Sequence, residues 1–420
     1  MRLIATLACG AIALGVPGLT GAAQAETLSL LGTLTNPEPN DGDNFGYASA
    51  MDNGVAVVGA WRNDDPSADV GIAYVYDATT GALLHTLRNP TPQSSDRFGR
   101  SVAISGNYAL VGAYGDDIGG NGSGAAHLFE LTTGALVHTF TNPTPAATDR
   151  FGWSVAINSG QAMVGAWLDD AGATDSGAAY IFDLSGDLST PTVTLTNPTP
   201  AFDERFGSSV ALSGTVAMAA AQYANDVAGR AGEVYLFNSL TGTLLQTLVN
   251  PVGTLGEQFG AGIDILGNFA LVGAPNADPN GTNTGAAYLF DVSTSALLQT
   301  FYSPDPSVLS GFGSNVSLDG DYALISAFRD DLSGLDAGAA YLFSILTGEW
   351  ISVLPAPGAD GGFFGSSASI DGGLVLIGAA EDGVGGAAYV YALSADVPLP
   401  PAAALLGLGV LALGAVRRRA

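Results

Sequence analysis

Short runs of alternating apolar and polar residues follow one another along most of the chain. In residues 98–145 these runs read SVAIS, YALVG, AAHLFEL and ALVHTF, separated by SGN, by a loop rich in Asp and Gly, and by TTG. Alternation with a period of two predicts β-strands, and Gly, Asn and Asp between the runs predict turns. The pattern therefore predicts a unit of four antiparallel strands.

This unit recurs seven times, and each copy opens with a Phe-Gly pair. The Phe residues are Phe45, Phe98, Phe151, Phe206, Phe259, Phe312 and Phe364, so successive copies are 53, 53, 55, 53, 53 and 52 residues apart. Four-stranded units repeated at this spacing are typical of propeller blades. We predict an all-β fold, a seven-bladed β-propeller of four-stranded antiparallel blades. A superhelical array is the competing interpretation.

The two ends of the repeat region complement each other. Residues 29–37, SLLGTLTNP, match the fourth strand and link ALLHTLRNP at residues 82–90, so the chain begins with a fourth strand that has no blade of its own. The seventh unit stops at Leu393 without a fourth strand. An N-terminal strand that completes the last blade closes the ring and removes the exposed edges, whereas an open array needs caps. The sequence therefore favours the closed propeller.

The segments FG, VGAY or VGAW, and GAAYLF resemble the FG-GAP repeats of integrin-type propellers. The resemblance covers residues 28–393 and implies a propeller that binds its ligands through one face. Integrin-like repeats often carry an Asp-x-Asp-x-Asp-Gly calcium loop, but this chain has tight turns there, such as Ser105-Gly106-Asn107. The short-turn form resembles a bacterial subfamily.

The N-terminal segment predicts export. Residues 1–25 combine Arg2, an apolar run and Ala23-Gln24-Ala25, as in a signal peptide cleaved after Ala25. The only cysteine, Cys9, lies in this leader, so a lipoprotein signal is the alternative, and the mature chain is free of cysteine. The propeller domain is then expected to span residues 26–396.

The C-terminal segment, residues 397–420, combines a proline motif, an apolar run and three Arg residues. It resembles the VPLPA form of the PEP-CTERM sorting signal, which exosortases of Gram-negative bacteria process. The resemblance implies recognition at Val397, Pro398, Leu399 and Pro400 and location at the cell surface, in the outer membrane or in the extracellular matrix. A plain membrane anchor is the alternative, since the apolar run is just long enough to span a bilayer.

The charge distribution argues against nucleic-acid binding. Of the 12 basic residues, all Arg, four lie in the end segments, which contain no acids, so between them 39 acids face eight Arg. Such a surface repels nucleic acid and anionic lipids, and it favours cations or neutral ligands. A solubility role for the acids explains them equally well.

The sequence contains no catalytic motif, and we predict that the protein is not an enzyme. GxSxG, HExxH and sialidase-like Asp boxes are absent, and His85, His127 and His138 occupy strand positions. Paired carboxylates occur at Asp64-Asp65, Asp116-Asp117, Asp169-Asp170 and Asp330-Asp331. Glycoside hydrolysis needs one asymmetric pair, which repeated pairs do not offer.

The acidic loops are candidate calcium sites. Asp64, Asp116, Asp169 and Asp330 are followed by Gly, Asn and Ser, and their oxygens are ligands that calcium accepts. The alternative is that these residues shape turns at the strand ends. No other cofactor is predicted.

Large side chains at two equivalent positions of the repeat are concentrated in the first three units, although Phe328 of the sixth unit occupies the second position. The residue after Phe-Gly is Tyr47, Arg100 or Trp153 there and a small residue elsewhere, and the residue after the next Gly-Ala pair is Trp61, Tyr114 or Trp167. In a blade both positions lie on the face that carries the long loops, where binding residues usually lie. These six residues are the predicted ligand site, with Asp64, Asp117 and Asp169 beside the rings. Filling of gaps between the blades is the alternative.

The sequence therefore predicts an exported surface or matrix adhesion protein that binds a polysaccharide or an envelope or matrix protein. A structural matrix component without a specific ligand is the first alternative. A secreted enzyme acting on polysaccharides is the second.

Overall fold

Each unit of the repeat forms one blade of four antiparallel strands, with the first strand innermost and the fourth outermost. Blade 1 contains β2 (Phe45–Asp52), β3 (Val55–Ala60), β4 (Ile72–Asp77) and β5 (Leu83–Arg88). Blade 2 contains β6 (Phe98–Ser105), β7 (Tyr108–Ala113), β8 (Ala125–Glu130) and β9 (Ala135–Thr141). Blade 3 contains β10 (Phe151–Asn158), β11 (Gln161–Ala166), β12 (Ala178–Asp183) and β13 (Val193–Thr196). The seven-bladed all-β prediction is confirmed.

The remaining blades follow the same order. Blade 4 contains β14 (Phe206–Ser213), β15 (Val216–Ala221), β16 (Glu233–Asn238) and β17 (Leu244–Val249). Blade 5 contains β18 (Ile263–Leu266), β19 (Phe269–Ala274), β20 (Ala286–Asp291) and β21 (Leu297–Phe301). Blade 6 contains β22 (Val316–Asp319), β23 (Tyr322–Ala327), β24 (Ala339–Ser344) and β25 (Trp350–Pro355).

The N-terminal strand completes the last blade. Blade 7 contains β26 (Phe364–Asp371), β27 (Leu374–Ala379) and β28 (Ala387–Ala395), and its outer strand is β1 (Glu26–Thr35). The innermost strands of blades 7 and 1 are also in contact, and the hydroxyl of Ser367 donates to the carbonyl of Gly46 at 2.9 Å. The ring is therefore closed, and the superhelical alternative is wrong.

The core consists of seven apolar clusters, each shared by two neighbouring blades. The Phe of every Phe-Gly pair is at most 1% exposed. Its ring contacts aromatic residues of the third strand of its own blade; for example, Phe45 lies 5.9 Å from Tyr74 and 6.1 Å from Tyr76 between centroids. This packing explains why the repeat combines Phe-Gly with an aromatic GAAYLF strand.

The computed structural model describes residues 26–158, 160–224, 230–357 and 362–395. The predicted leader, the predicted C-terminal signal, and their processing residues Ala25, Val397, Pro398, Leu399 and Pro400 lie outside these ranges. The described residues contain no helix that is long and apolar enough to cross a membrane. Export and sorting therefore stay predictions.

Candidate functional site

The predicted ligand residues lie where each innermost strand begins. In blades 1 to 3 the pairing with the second strand skips the Gly of the Phe-Gly pair and the residue after it, which forms a β-bulge. These glycines, Gly46, Gly99 and Gly152, have φ between 87° and 90°, a conformation that L side chains rarely adopt. Bulges re-aim side chains at strand ends. The bulge places Tyr47, Arg100 and Trp153 at the long-loop end of the central channel.

A cavity of about 690 Å³ opens at this end, and residues from all seven blades line it. Four of the six predicted ligand residues, Tyr47, Trp61, Arg100 and Trp153, are among the lining residues. Tyr47 and Trp61 come from the two predicted positions of one blade, and their ring centroids are 5.7 Å apart. The expectation that both positions share the long-loop face is confirmed.

The other two predicted residues lie behind this lining. The ring of Trp167 stacks on Trp153 at 4.0 Å and 14°, and the ring of Tyr114, only 5% exposed, meets Trp153 at 4.9 Å. Tyr114 and Trp167 do not line the cavity. They hold Trp153 in place, so the gap-filling alternative describes them better than direct ligand contact.

Arg100 lies between two aromatic rings from the blades on either side of its own. Its guanidinium carbon is 4.4 Å from the Tyr47 ring centroid and 4.5 Å from that of Trp153. Cation–π contacts of this kind are worth about 0.5–2 kcal/mol each. Residues 53 positions apart in sequence, on three blades, thus form one cluster.

The repeat carries a second set of arginines that the sequence analysis did not assign to the site. Arg97, Arg150 and Arg205 directly precede a Phe-Gly pair, and each has a positive φ of 59° to 61°. This backbone conformation is unfavourable for a non-glycine residue, and blade 6 has Gly311 at the same position. The recurring Arg-Phe-Gly sequence was the signal that could have revealed them.

These arginines extend the cluster around the cavity. Arg97 lies 5.3 Å from the ring centroids of both Trp61 and Tyr114, and Arg205 lies 4.5 Å from those of Trp167 and Tyr223. We call the combined set the aromatic–arginine rim. It comprises Tyr47, Trp61, Arg97, Arg100, Tyr114, Arg150, Trp153, Trp167, Arg205 and Tyr223.

Aromatic rings from other blades also lie on this face. Tyr223 adds a ring from blade 4, and Phe328 and Phe363 line the cavity from blades 6 and 7 with centroids 5.9 Å apart. The sequence comparison used only two positions of the repeat. Tyr223 and Phe363 occupy neighbouring positions that fold onto the same face.

The acidic loop residues use their oxygens to shape the loops. Asp64 Oδ1 accepts the backbone N–H of Asp69 at 2.8 Å, and Asp117, Asp170 and Asp331 accept the equivalent N–H five residues on. Asp116 and Asp330 each accept the N–H two residues on at 2.9 Å. These bonds are those expected from the turn alternative.

The four predicted calcium residues lie in separate loops of four blades. Within the described ranges, no group of three or more His, Cys, Asp and Glu side chains is placed to hold a metal ion. Calcium binding by Asp64, Asp116, Asp169 and Asp330 stays a prediction, and calorimetric titration with calcium tests it. Asp169 is only 5% exposed and accepts a hydrogen bond from the Tyr180 hydroxyl at 2.8 Å.

The links between blades contain a buried Asn that bonds to an acid seven residues later. Asn89 Nδ2 donates to Asp96 at 2.8 Å and to Asp116 at 3.0 Å, and Asn142 bonds to Asp149 and Asp169 in the same way. Burial raises the pKa of Asp96 and of Asp149 to about 6, although each carboxylate accepts a backbone N–H that lowers it. The Asn-Pro-Thr-Pro segments that begin at Asn89 and Asn142 are therefore structural links between blades.

The buried histidine is also structural. His127 is fully buried, its Nδ1 lies 3.0 Å from the hydroxyl of Thr139, and its ring contacts Phe98 at 5.5 Å. Burial lowers the pKa of His127 to about 4, so it is neutral at pH 7. It takes the place of the Tyr in other blades.

Comparison with known proteins agrees with the fold and the repeat. The family described as FG-GAP repeat matches residues 29–76, 90–129, 137–182, 190–237, 243–290 and 299–343. The chain belongs to this family. No curated protein matches the FG-GAP chain. Among solved structures, it is similar to a chain of the one titled "Crystal Structure of Mitotic Checkpoint Complex", with 13% identity, a TM-score of 0.56, and coverage of 93% of this chain and 98% of that one. At this identity the likeness shows the fold alone.

Proposed function

We propose that the protein is an exported adhesion protein of the cell surface or extracellular matrix that binds a polysaccharide through its long-loop face. The observation that carries this proposal is the gathering of the aromatic–arginine rim around one cavity. Aromatic rings provide large, rigid contact surfaces, and binding energy concentrates at such residues. Rings in a cavity mouth suit stacking on sugar rings. A protein ligand with an exposed side chain is the second candidate, since Trp, Tyr and Arg also dominate protein interfaces.

The position of the chain ends supports attachment through the opposite face. β1 begins and β28 ends on the side of the short turns, where Thr27 and Ser394 place their hydroxyls 3.2 Å apart. We propose exosortase-type processing at the segment Val397–Pro400 for this attachment.

Binding to an array of glycans and surface proteins tests the proposal. Trp153→Ala and Tyr47→Ala should each weaken binding by at least about 30-fold, which corresponds to a loss of about 2 kcal/mol at a binding hot spot. Trp350→Ala is the matched control, because Trp350 is 50% exposed on the outer strand β25 and lies outside the cavity. The melting temperature of each variant separates loss of contact from loss of folding.

Three outcomes contradict the proposal. Saturable binding that all three variants retain places the site elsewhere. Absence of any ligand favours the structural matrix component. Release of soluble products from a polysaccharide favours the enzyme.

A further inference from the structure

The cavity lining does not share the strong negative charge of the whole protein. The chain has a net charge of −27, which predicts cations or neutral molecules as ligands. Among the described residues, however, the cavity is lined by Arg62 and Arg100 and by a single acid, Glu381. Arg62 is paired with Asp69 at 3.5 Å, so Arg100 is the lining arginine that has no ion pair among the described residues.

The arginines of the described chain are concentrated on this face. Seven of the eight stack on aromatic rings of the long-loop face: Arg62, Arg97, Arg100, Arg150, Arg205, Arg230 and Arg329. The eighth, Arg88, pairs with Glu38 and Asp65. Some of these arginines also pair with acids of the same face, as Arg62 does with Asp69 and Arg230 with Asp203.

Arg100 is the arginine best placed to bind an anion. It lines the cavity, and within the described ranges no carboxylate lies within 4.0 Å of its guanidinium. The rings of Tyr47 and Trp153 cover its two faces, and a stacked guanidinium keeps its in-plane N–H groups for a planar acceptor. A carboxylate matches this fork with two parallel hydrogen bonds.

Arg205 provides the internal comparison. It also lies between two rings, at 4.5 Å from Trp167 and from Tyr223, but it already pairs with Asp203 at 2.6 Å and does not line the cavity. Arg205 and Arg100 thus have the same aromatic neighbourhood, but only Arg205 is paired with a carboxylate of the protein among the described residues. The arginine without a carboxylate partner, Arg100, is the one that lines the cavity.

We propose that the cavity selects polysaccharides that carry carboxylate groups, such as polyuronates, and that Arg100 binds the carboxylate while Tyr47 and Trp153 contact the sugar ring. This inference rests on the proposed function and specifies its ligand class. Arg100 is half-buried at the cavity wall, and partial burial strengthens a charged hydrogen bond relative to one in bulk water. The negative surface outside the cavity limits non-specific adsorption of polyanions.

The test measures binding of the purified protein to three polymers in 0.15 M NaCl, with and without EDTA. Polygalacturonate carries carboxylates, dextran sulfate carries sulfates, and dextran is neutral. We expect saturable binding of polygalacturonate that Arg100→Gln weakens by at least about 10-fold, since hydrogen bonds to charged groups contribute about 1.5–3 kcal/mol. Arg100→Lys keeps the charge but loses the fork, so it should restore only part of the affinity. Arg205→Gln should change the affinity less than about 3-fold, because its charge is already paired.

The outcomes separate this inference from the function on which it rests. Binding of dextran alone, unchanged by Arg100→Gln, contradicts the carboxylate assignment and leaves a glycan-binding function standing. Binding of dextran sulfate alone also contradicts the assignment. Polygalacturonate binding that EDTA abolishes shows bridging by a cation on the acidic surface and overturns the role of Arg100. Absence of binding to any polymer, glycan or surface protein overturns both proposals.

Discussion

At the scale of single residues, the buried carboxylates of the links between blades are unusual in a chain so rich in acids. Asp96 is fully buried and Asp149 is 3% exposed, and each shares the amide of one Asn with a second acid. Burial disfavours the ionised form and raises the pKa of both residues to about 6. An unfolded Asp has a pKa of about 3.9, so folding favours the protonated form of both groups.

The stability of the propeller should therefore rise as the pH falls from 7.5 to about 4.5. Above pH 6 both carboxylates are ionised and their burial is unfavourable, whereas near pH 4 the folded state holds protons that the unfolded state releases. An exposed acid whose pKa is lowered by folding has the opposite effect on stability, because it destabilises the folded state when it is protonated. This loss occurs only below pH 4, since turn hydrogen bonds lower the pKa of Asp291 to about 2. We expect the melting temperature to increase by roughly 2–5 °C across this range.

Differential scanning calorimetry at a series of pH values measures this effect, and the double variant Asp96→Asn, Asp149→Asn is the control. Asn keeps an oxygen acceptor but does not titrate, so the variant should show a flatter pH profile. A wild-type melting temperature that falls steadily from pH 7.5 to 4.5 would show that other groups dominate.

At the scale of elements, neighbouring blades also approach each other closely through backbone, beside the apolar clusters that they share. On each of several second strands a Gly faces the carbonyl of the next blade's Phe-Gly pair. A Cβ built on Gly165 would lie well under 3.0 Å from the Gly207 carbonyl oxygen and from the Ser154 hydroxyl. The Gly-Ala pair on the second strand of one blade therefore contacts the Phe-Gly pair on the first strand of the next blade. This contact explains why the two pairs recur together in the repeat.

Gly165→Ala should destabilise the protein by about 1–3 kcal/mol or more, because the added methyl group overpacks a backbone contact that cannot move without separating two blades. Gly32→Ala is the matched control, since nothing lies within 4 Å of a Cβ at that exposed strand position. Chemical denaturation of the two variants measures the difference. Equal stability of the two variants would mean that the blades can separate at little cost.

At the scale of the whole molecule, the ring depends on β1. Leu34 on this strand is 2% exposed and belongs to the cluster that joins blade 7 to blade 1, with Phe45, Tyr74 and Val390. Without β1, β28 would become an edge strand with unpaired backbone groups, which favours aggregation. The sequentially first and last strands thus hold the two ends of the ring together.

Deletion of residues 26–36 should lower the melting temperature by roughly 5 °C or more. Leu34→Ala tests the packing part of this effect and should cost about 2–5 kcal/mol, the usual range for a buried Leu. Leu31→Ala is its control, since Leu31 is 48% exposed on the same strand and surface substitutions change stability by less than about 0.5 kcal/mol. An unchanged melting temperature after the deletion would contradict closure through β1.

The sequence by itself determined the strands, the seven blades and the closing strand. The reason is that alternation, turn residues and the spacing of Phe-Gly are local or periodic signals, and the unmatched fourth strand at one end identifies its partner at the other. It also predicted that the six candidate residues share one face, and four of them line the cavity, because equivalent positions of a repeat occupy equivalent places.

Only the tertiary structure decided which of these side chains contact each other. Arg100 gains its partners Tyr47 and Trp153 from blades on either side, and Tyr114 and Trp167 turn out to lie behind Trp153. The net charge of −27 concealed a cavity lined by two arginines and one acid, since a sum over the chain carries no positions. Contacts between blades join residues about 53 positions apart, and the distances and orientations within them arise only when the ring is closed.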